Sequence, residues 1–385
     1  MTAAPVDILL FDLDAVLLSS EGYYESLRQT VRQLARALGF ANVNLSQEDI
    51  DVFESLDITA EWDSSAMCAG LLLDHAWRHD PGLTLPDRPP LPHPPIHGQA
   101  APDFRAFVLS LGDGRAAPDG PLGSARKRLL ARGQGYSPRQ IEVLERILGQ
   151  ARDPDRSITF QLIQEFNLGS VAYAQAYHRP GWLETESMLA QRDRPSLAPE
   201  ERAGVREWSD QPNHHVAIVT NRPSRSRAHT LNTPEAEIGI RASDMEGFPV
   251  VSAGALAWRA EQEGLDAQAL LKPSPVHMLA GLRLAVETDV DGAISAAYTL
   301  ASGARADDKW GELDGARVAV FEDAPKGLRS ARAAAAALTR VGIHIRLDLY
   351  GISPSPAKAN ALQAEGARLF PSLSLALKEA IGGDE

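Results

Sequence analysis

Hydrophobic positions follow two patterns along this chain. In the first, short continuous apolar runs end in acids or small polar residues. Examples are Ile8 to Phe11 before Asp12-Leu13-Asp14, Val216 to Val219 before Thr220-Asn221-Arg222, and Val318 to Phe321 before Glu322-Asp323. Runs of this kind predict strands of a parallel sheet covered on both faces. Residues 248–252 and 343–350 predict further strands. In the second pattern, apolar residues recur every three or four positions. Tyr24, Leu27, Val31, Leu34 and Leu38 predict a helix over 21–38 that Gly39 stops. Helices are also predicted over 137–150, 157–167, 331–338 and 372–381.

The C-terminal half alternates strands and helices, which implies a parallel sheet of the doubly wound type. The strand at 6–12 needs parallel partners, and the helical stretch that follows it offers none. The expected fold class is therefore α/β: a doubly wound, Rossmann-like core made of residues 1–18 and 205–385. A mostly helical domain, 19–204, is inserted after the first strand. Within the insertion, seven prolines between Pro81 and Pro95 make 81–98 an extended surface spacer.

Composition narrows the choice of partners. The 385 residues are 44% hydrophobic and 23% charged, ordinary values for a globular protein. Lys and Arg total 38 against 51 Asp and Glu, a formal charge of −13, which disfavours nucleic acid and anionic membrane surfaces. The single cysteine, Cys68, lies in the apolar run 66–73 and reads as a buried hydrophobe. With no disulfide possible, a reducing cytoplasm is the expected location. No apolar run is long enough for a membrane span, and Asp7, Asp12 and Asp14 do not suit a signal peptide.

The strand ends carry the candidate chemistry. Ligands of open parallel sheets bind outside the carboxyl ends of the strands. Here those ends hold Asp12 and Asp14, Thr220 and Asn221, and Glu322 and Asp323. Three carboxylates on one sheet edge would repel and raise one another's pKa. A hard divalent cation with oxygen ligands relieves that repulsion, and Mg²⁺ is the natural choice. A carboxylate beside it can attack phosphorus and form an aspartyl phosphate. A lysine is needed to offset charge, and Lys272, in Leu270-Leu271-Lys272-Pro273-Ser274-Pro275, is the candidate.

These motifs resemble those of the haloacid dehalogenase-like hydrolase superfamily. Asp12-Leu13-Asp14-Ala15-Val16-Leu17 is similar to its motif one, and Thr220-Asn221 to motif two. Lys272-Pro273-Ser274-Pro275 is similar to motif three of the phosphoglucomutase-like subgroup. Phe321-Glu322-Asp323-Ala324 with Lys326-Gly327-Leu328 is similar to motif four. The resemblance implies that Asp12 is nucleophile and Mg²⁺ ligand. It makes Asp14 the general acid and base, with its backbone carbonyl on the metal. Thr220 and Asn221 would hold the phosphoryl oxygens, Lys272 would neutralise charge, and Glu322 and Asp323 would complete the metal site. It also implies a Mg²⁺-dependent phosphatase for a small phosphorylated metabolite, with 19–204 as a substrate-selecting cap. The aspartate at 14 disfavours dehalogenation. A sugar phosphomutase shares every one of these residues, and a non-enzymatic binding protein retaining the fold is the third reading. Oligomeric state is not legible.

Three departures stand out. Ala15 occupies a position where glycine is common, Val276 and His277 follow Pro275 where an acid is usual, and the stretch from Lys272 to Glu322 is long. Residues 283–312 are accordingly expected to be an excursion, a loop or an oligomer contact. Arg222 reads as a solvated turn residue, with phosphate binding as the other option. Tyr24 reads as core, Tyr23 has substrate contact only as the lesser option, and His75 and His79 read as structural despite a spacing that suits zinc.

Overall fold

The computed structural model describes residues 6–56, 58–92, 94–95, 100–112, 120–132, 135–304 and 307–382. Six parallel strands form one sheet in the order β3-β2-β1-β4-β5-β6. They are β1 (Asp7–Phe11), β2 (His214–Thr220), β3 (Val250–Ser252), β4 (Arg317–Glu322), β5 (Arg346–Ile352) and β6 (Arg368–Phe370). The α/β class expected from the alternating pattern is the observed one.

The chain resolves into two compact units, 1–20 with 193–385, and 21–192. The helix Pro199–Ser209 belongs to the sheet-containing unit, where Val205 and Trp208 join the core beside Val216 and Ile218. The run Pro195 to Glu200 reads as a break in the sequence. Pro199 is in fact the first residue of this helix, a position where its missing N–H is harmless.

Period-two alternation divides each strand between two cores. Ile8, Leu10, Ala217, Val219, Val318 and Val320 face one core, built with the helices Ala253–Gln262, Pro275–Val286, Val290–Ala301 and Pro325–Arg340. Leu9, Phe11, Ile218, Ala319 and Phe321 face the other. On that second face Phe11 stacks on Phe321 and Phe321 on Tyr350, each at 4.8 Å, which ties β1, β4 and β5 together.

Residues 283–312 are not a loop. They complete the helix Pro275–Val286, add the helix Val290–Ala301 and a short turn of helix at Asp308–Leu313. Ile294, Ala297, Leu300, Trp310 and Leu313 are buried in the first core. Arg283 pairs with Asp307 at 2.9 Å and lies over the Trp310 ring, so the excursion is an integral layer on the sheet. The sequence reading also missed β6 and the helix Pro356–Ala364. β6 is a three-residue edge strand, too short to show an apolar pattern.

The second unit is built of helices joined by loops, with no strand among its described residues, as the absence of strand-like runs predicted. Its core gathers Leu27, Val31, Leu34 and Phe40 with Leu72, Leu144 and Leu162. Cys68 is buried there, and burial pushes its thiol pKa up. Tyr24 packs against this core, as expected, and donates its hydroxyl to Glu54 at 2.8 Å, while Tyr23 is buried. Residues 93 and 96–98 of the proline-rich segment lie outside the described residues. Among the described residues no helix is long and apolar enough to cross a membrane.

His277 supplies a stability test. It is fully buried in the helix Pro275–Val286, its Nε2 lies 3.3 Å from the Val251 carbonyl, and its Nδ1 has no hydrogen-bond partner among the described residues. Burial, with nearby Lys272 adding to it, holds its pKa well below 6.5. In the unfolded chain it protonates near 6.5, while the folded form stays neutral. The stability associated with neutral His277 is therefore complete above about pH 6.5 and is lost as the pH falls from there towards the folded value. In urea titrations at pH 7.5 and 5.5, His277→Gln is expected to lose less stability on acidification than the wild type. Equal losses would remove His277 as the cause.

Candidate active site

β1 lies at the centre of the sheet. The chain runs outward from it to β2 and β3 on one side and to β4, β5 and β6 on the other. The carboxyl ends of β1 and β4 therefore flank the topological switch point, the position at which open α/β sheets form a crevice. The register sets Phe11 opposite Phe321, and the Asp12 N–H donates to the Phe321 carbonyl at 3.0 Å. The residues just beyond, Asp12, Glu322 and Asp323, are thus neighbours. They can each offer an oxygen such that all three lie within 4.8 Å of one another. Among the described residues this is the grouping able to hold a metal, and His75 and His79 form no such group.

Lys272 enters the cluster from the loop before the helix that begins at Pro275. Its Nζ donates to the Val219 carbonyl at 2.6 Å and to Asp12 Oδ1 at 3.0 Å, and it lies 2.7 Å from Glu322 Oε1. The loop is tied down by Ser330 Oγ, which donates to the Ser274 carbonyl at 2.5 Å. Burial alone would lower the lysine pKa, but Asp12 and Glu322 outweigh it and raise the pKa, so the ammonium stays charged. Val276 and His277, in place of an acid, have not displaced it.

The carboxylates are short of positive charge. Burial raises the pKa of Asp12, with Asp323 and Asp14 adding to the rise and Lys272 opposing it. Burial, then Asp12, pushes Glu322 well above the usual carboxylate range. Glu322 Oε2 is buried without a hydrogen-bond partner among the described residues. Glycine is obligatory at 327, where a Cβ would fall 2.0 Å from Glu322 Cδ. The helix Pro325–Arg340 can start against the carboxylate only because that atom is missing. Oxygen-only donors, unmet negative charge and an orphaned buried oxygen together fit a hard divalent cation such as Mg²⁺.

Asp14 is placed differently. Its carboxylate receives Arg222 Nε at 3.0 Å to each oxygen and Nη2 at 2.6 Å, and the Ser20 hydroxyl at 2.9 Å. Nη2 also donates to Asp193 at 2.8 Å. Arg222 is 2% exposed, so it is not the solvated turn residue expected from its place after Asn221. Gly239 makes room for it, since a Cβ there would approach Nη1 to 2.7 Å. Burial pushes the Asp14 pKa up, but Arg222 outweighs burial and holds the carboxyl below its ordinary value. Ala15 has a φ of +54°, in the left-handed region that favours glycine, and its N–H is held by Ser20 Oγ at 2.9 Å.

Thr220 is fully buried at the end of β2, and its Oγ1 accepts the Arg222 N–H at 3.0 Å. Asn221 Oδ1 is buried with no partner among the described residues, which leaves it available to a ligand. Asp193 and Lys358, whose Nζ donates to Asp323 Oδ2 at 2.6 Å, have no place in the site on sequence reasoning, and Arg222 has one only as the lesser option, through its position at a strand end. Asp193 and Lys358 lie in stretches without a motif.

No family model matches this chain, and no curated protein matches it. Among solved structures, an X-ray structure of a Northeast Structural Genomics Consortium target is similar at 14% identity and a TM-score of 0.57. The likeness covers 98% of this chain and 99% of that one. At that identity it shows a shared fold. Phosphatase Tt82 from Thermococcus thioreducens is similar at 13% identity over 88% of this chain and 91% of its own, with a TM-score of 0.41, too low to carry an argument.

The Asp14–Arg222–Asp193 cluster is testable by denaturation. Removing a buried partner from an ion pair leaves uncompensated charge, at about 3–5 kcal/mol. Arg222→Met is expected to lose about that much stability in urea. The double variant Arg222→Met/Asp193→Asn should recover part of it, and strict additivity would mean that the two residues are not coupled.

Proposed function

We propose that this protein is a Mg²⁺-dependent phosphatase of the haloacid dehalogenase-like kind, acting on a small phosphorylated metabolite. The observation that carries the reading is the meeting of Asp12, Glu322 and Asp323 at the switch point with Lys272 bound to two of them. Asp12, Asp323 and the Asp14 backbone carbonyl would hold the metal, with Glu322 tied to Lys272 behind them. When bound, Mg²⁺ supplies charge neutralisation and polarises the phosphoryl oxygens.

The remaining steps belong to the chain's own residues. An Asp12 oxygen attacks phosphorus, the bond to the leaving oxygen breaks, and an aspartyl phosphate forms. Lys272 keeps Asp12 anionic and offsets charge on the transferring group. The Asn221 amide N–H would donate to one phosphoryl oxygen and the Thr220 hydroxyl to another. Water then attacks the phosphorus, and phosphate leaves as Asp12 is regenerated.

Asp14 has the more demanding part, because it is to protonate the leaving oxygen and later take a proton from water. Arg222 suits it for the second task, since it stabilises the carboxylate. For the first, Asp14 must gain a proton against the pull of the guanidinium. A rearrangement of the Arg222 contact during the cycle is therefore part of this reading.

With a generic aryl phosphate and Mg²⁺, Asp12→Asn should reduce kcat by at least about a thousandfold. EDTA should abolish turnover, and added Mg²⁺ should restore it. A purified protein that hydrolyses nothing across a broad phosphate-ester panel with Mg²⁺ would overturn the proposal.

A further inference from the structure

The acidic cluster carries a second lysine that the proposed chemistry does not use. Lys358 stands in the first turn of the helix Pro356–Ala364, just beyond the end of β5, the strand next to β4. Its ammonium donates to Asp323 Oδ2 at 2.6 Å, with both side chains largely buried. Asp323 is one of the three carboxylates that can converge on a cation. A positive charge of the protein's own is thus already seated on one of the carboxylates that a metal would seek.

The two lysines are held differently. Lys272 is bound at a backbone carbonyl and two carboxylates, and its side chain is 1% exposed. Lys358 has 13% exposure and a flexible four-carbon stem, which gives the ammonium a way out. The named groups also leave charge to be filled. Asp12, Asp14, Asp193, Glu322 and Asp323 are five carboxylates, against three cations in Lys272, Lys358 and Arg222. A divalent ion balances that excess, but it must approach an ammonium lying 2.6 Å from one of its ligands.

The geometry points to Lys358 as a tethered cation that competes with the divalent ion for Asp323 and sets the concentration at which the site loads. This inference rests on the metal-dependent reading above. Metal entry requires the ammonium to leave Asp323 Oδ2 or to share the carboxylate under like-charge repulsion. In the absence of metal the same contact keeps Asp323 paired.

The test is direct binding of Mn²⁺ to the full chain, followed by the loss of the free-ion paramagnetic resonance signal. Lys358→Met should bind Mn²⁺ about tenfold more tightly than the wild type, the repulsion expected between a monovalent and a divalent charge across about 6 Å of water-like medium. Lys358→Arg retains the charge and should stay within about twofold of the wild type. Lys358→Gln provides the same comparison should the methionine variant fold poorly, with folding checked by urea titration. In the background of Asp323→Asn the gain should disappear. Wild-type binding that is unchanged or weakened in both neutral variants would overturn the role of Lys358 and leave the metal site standing. Failure of the wild type and all variants to bind Mn²⁺ would overturn both.

Discussion

The site depends on one buried ammonium. Lys272 lies between Asp12 and Glu322, and without it the two carboxylates would share a desolvated space at the end of two adjacent strands. An isolated charge in such a place is strongly unfavourable, and burying a pair helps only if both are well held. Here the third contact, to the Val219 carbonyl, fixes the lysine to β2 as well. A single side chain thus spans β1, β2 and β4 at their carboxyl ends. Lys272 still leaves the carboxylates short of positive charge, and this deficit is what makes the cluster suitable for a divalent ion.

A second arrangement, a few residues away, uses the opposite balance. Arg222 faces Asp14 and Asp193, and its planar fork satisfies several carboxylate oxygens at once. The two acids that follow β1 are therefore differentiated by their surroundings. Asp12 is destabilised as an anion by burial and by neighbouring acids, whereas Asp14 is stabilised by arginine. Pairs of titratable groups pushed in opposite directions are a common basis for dividing tasks at an active site. Because Arg222 and Asp14 are far apart in sequence, the division exists only in the folded sheet domain.

Much of the candidate site was legible beforehand for a physical reason. Strands buried on both faces must be continuously apolar, so the polar residue at which a run stops marks the sheet edge. The strand-end positions Asp12, Thr220 and Glu322 were picked out in this way. Lys358 and Asp193 were not, because neither ends a strong apolar run and each acquires meaning only from a partner across the fold. Residues 283–312 were misjudged for a related reason. Their apolar residues serve one face of a helix pair, and the length of the stretch suggested a loop where the sheet required another layer.

The sequence by itself determined the class of fold, the order of the strands along the chain and the side of the sheet on which polar chemistry collects. Those features follow from local patterns, since periodicity and strand-ending acids are properties of neighbouring residues. Tertiary structure alone decided which charges meet. It placed Lys272 on Glu322 as well as Asp12, turned Arg222 inward onto Asp14, and brought Lys358 to Asp323. The interaction of two charges depends on their distance and on the water excluded around them, and neither quantity is written in a linear spacing.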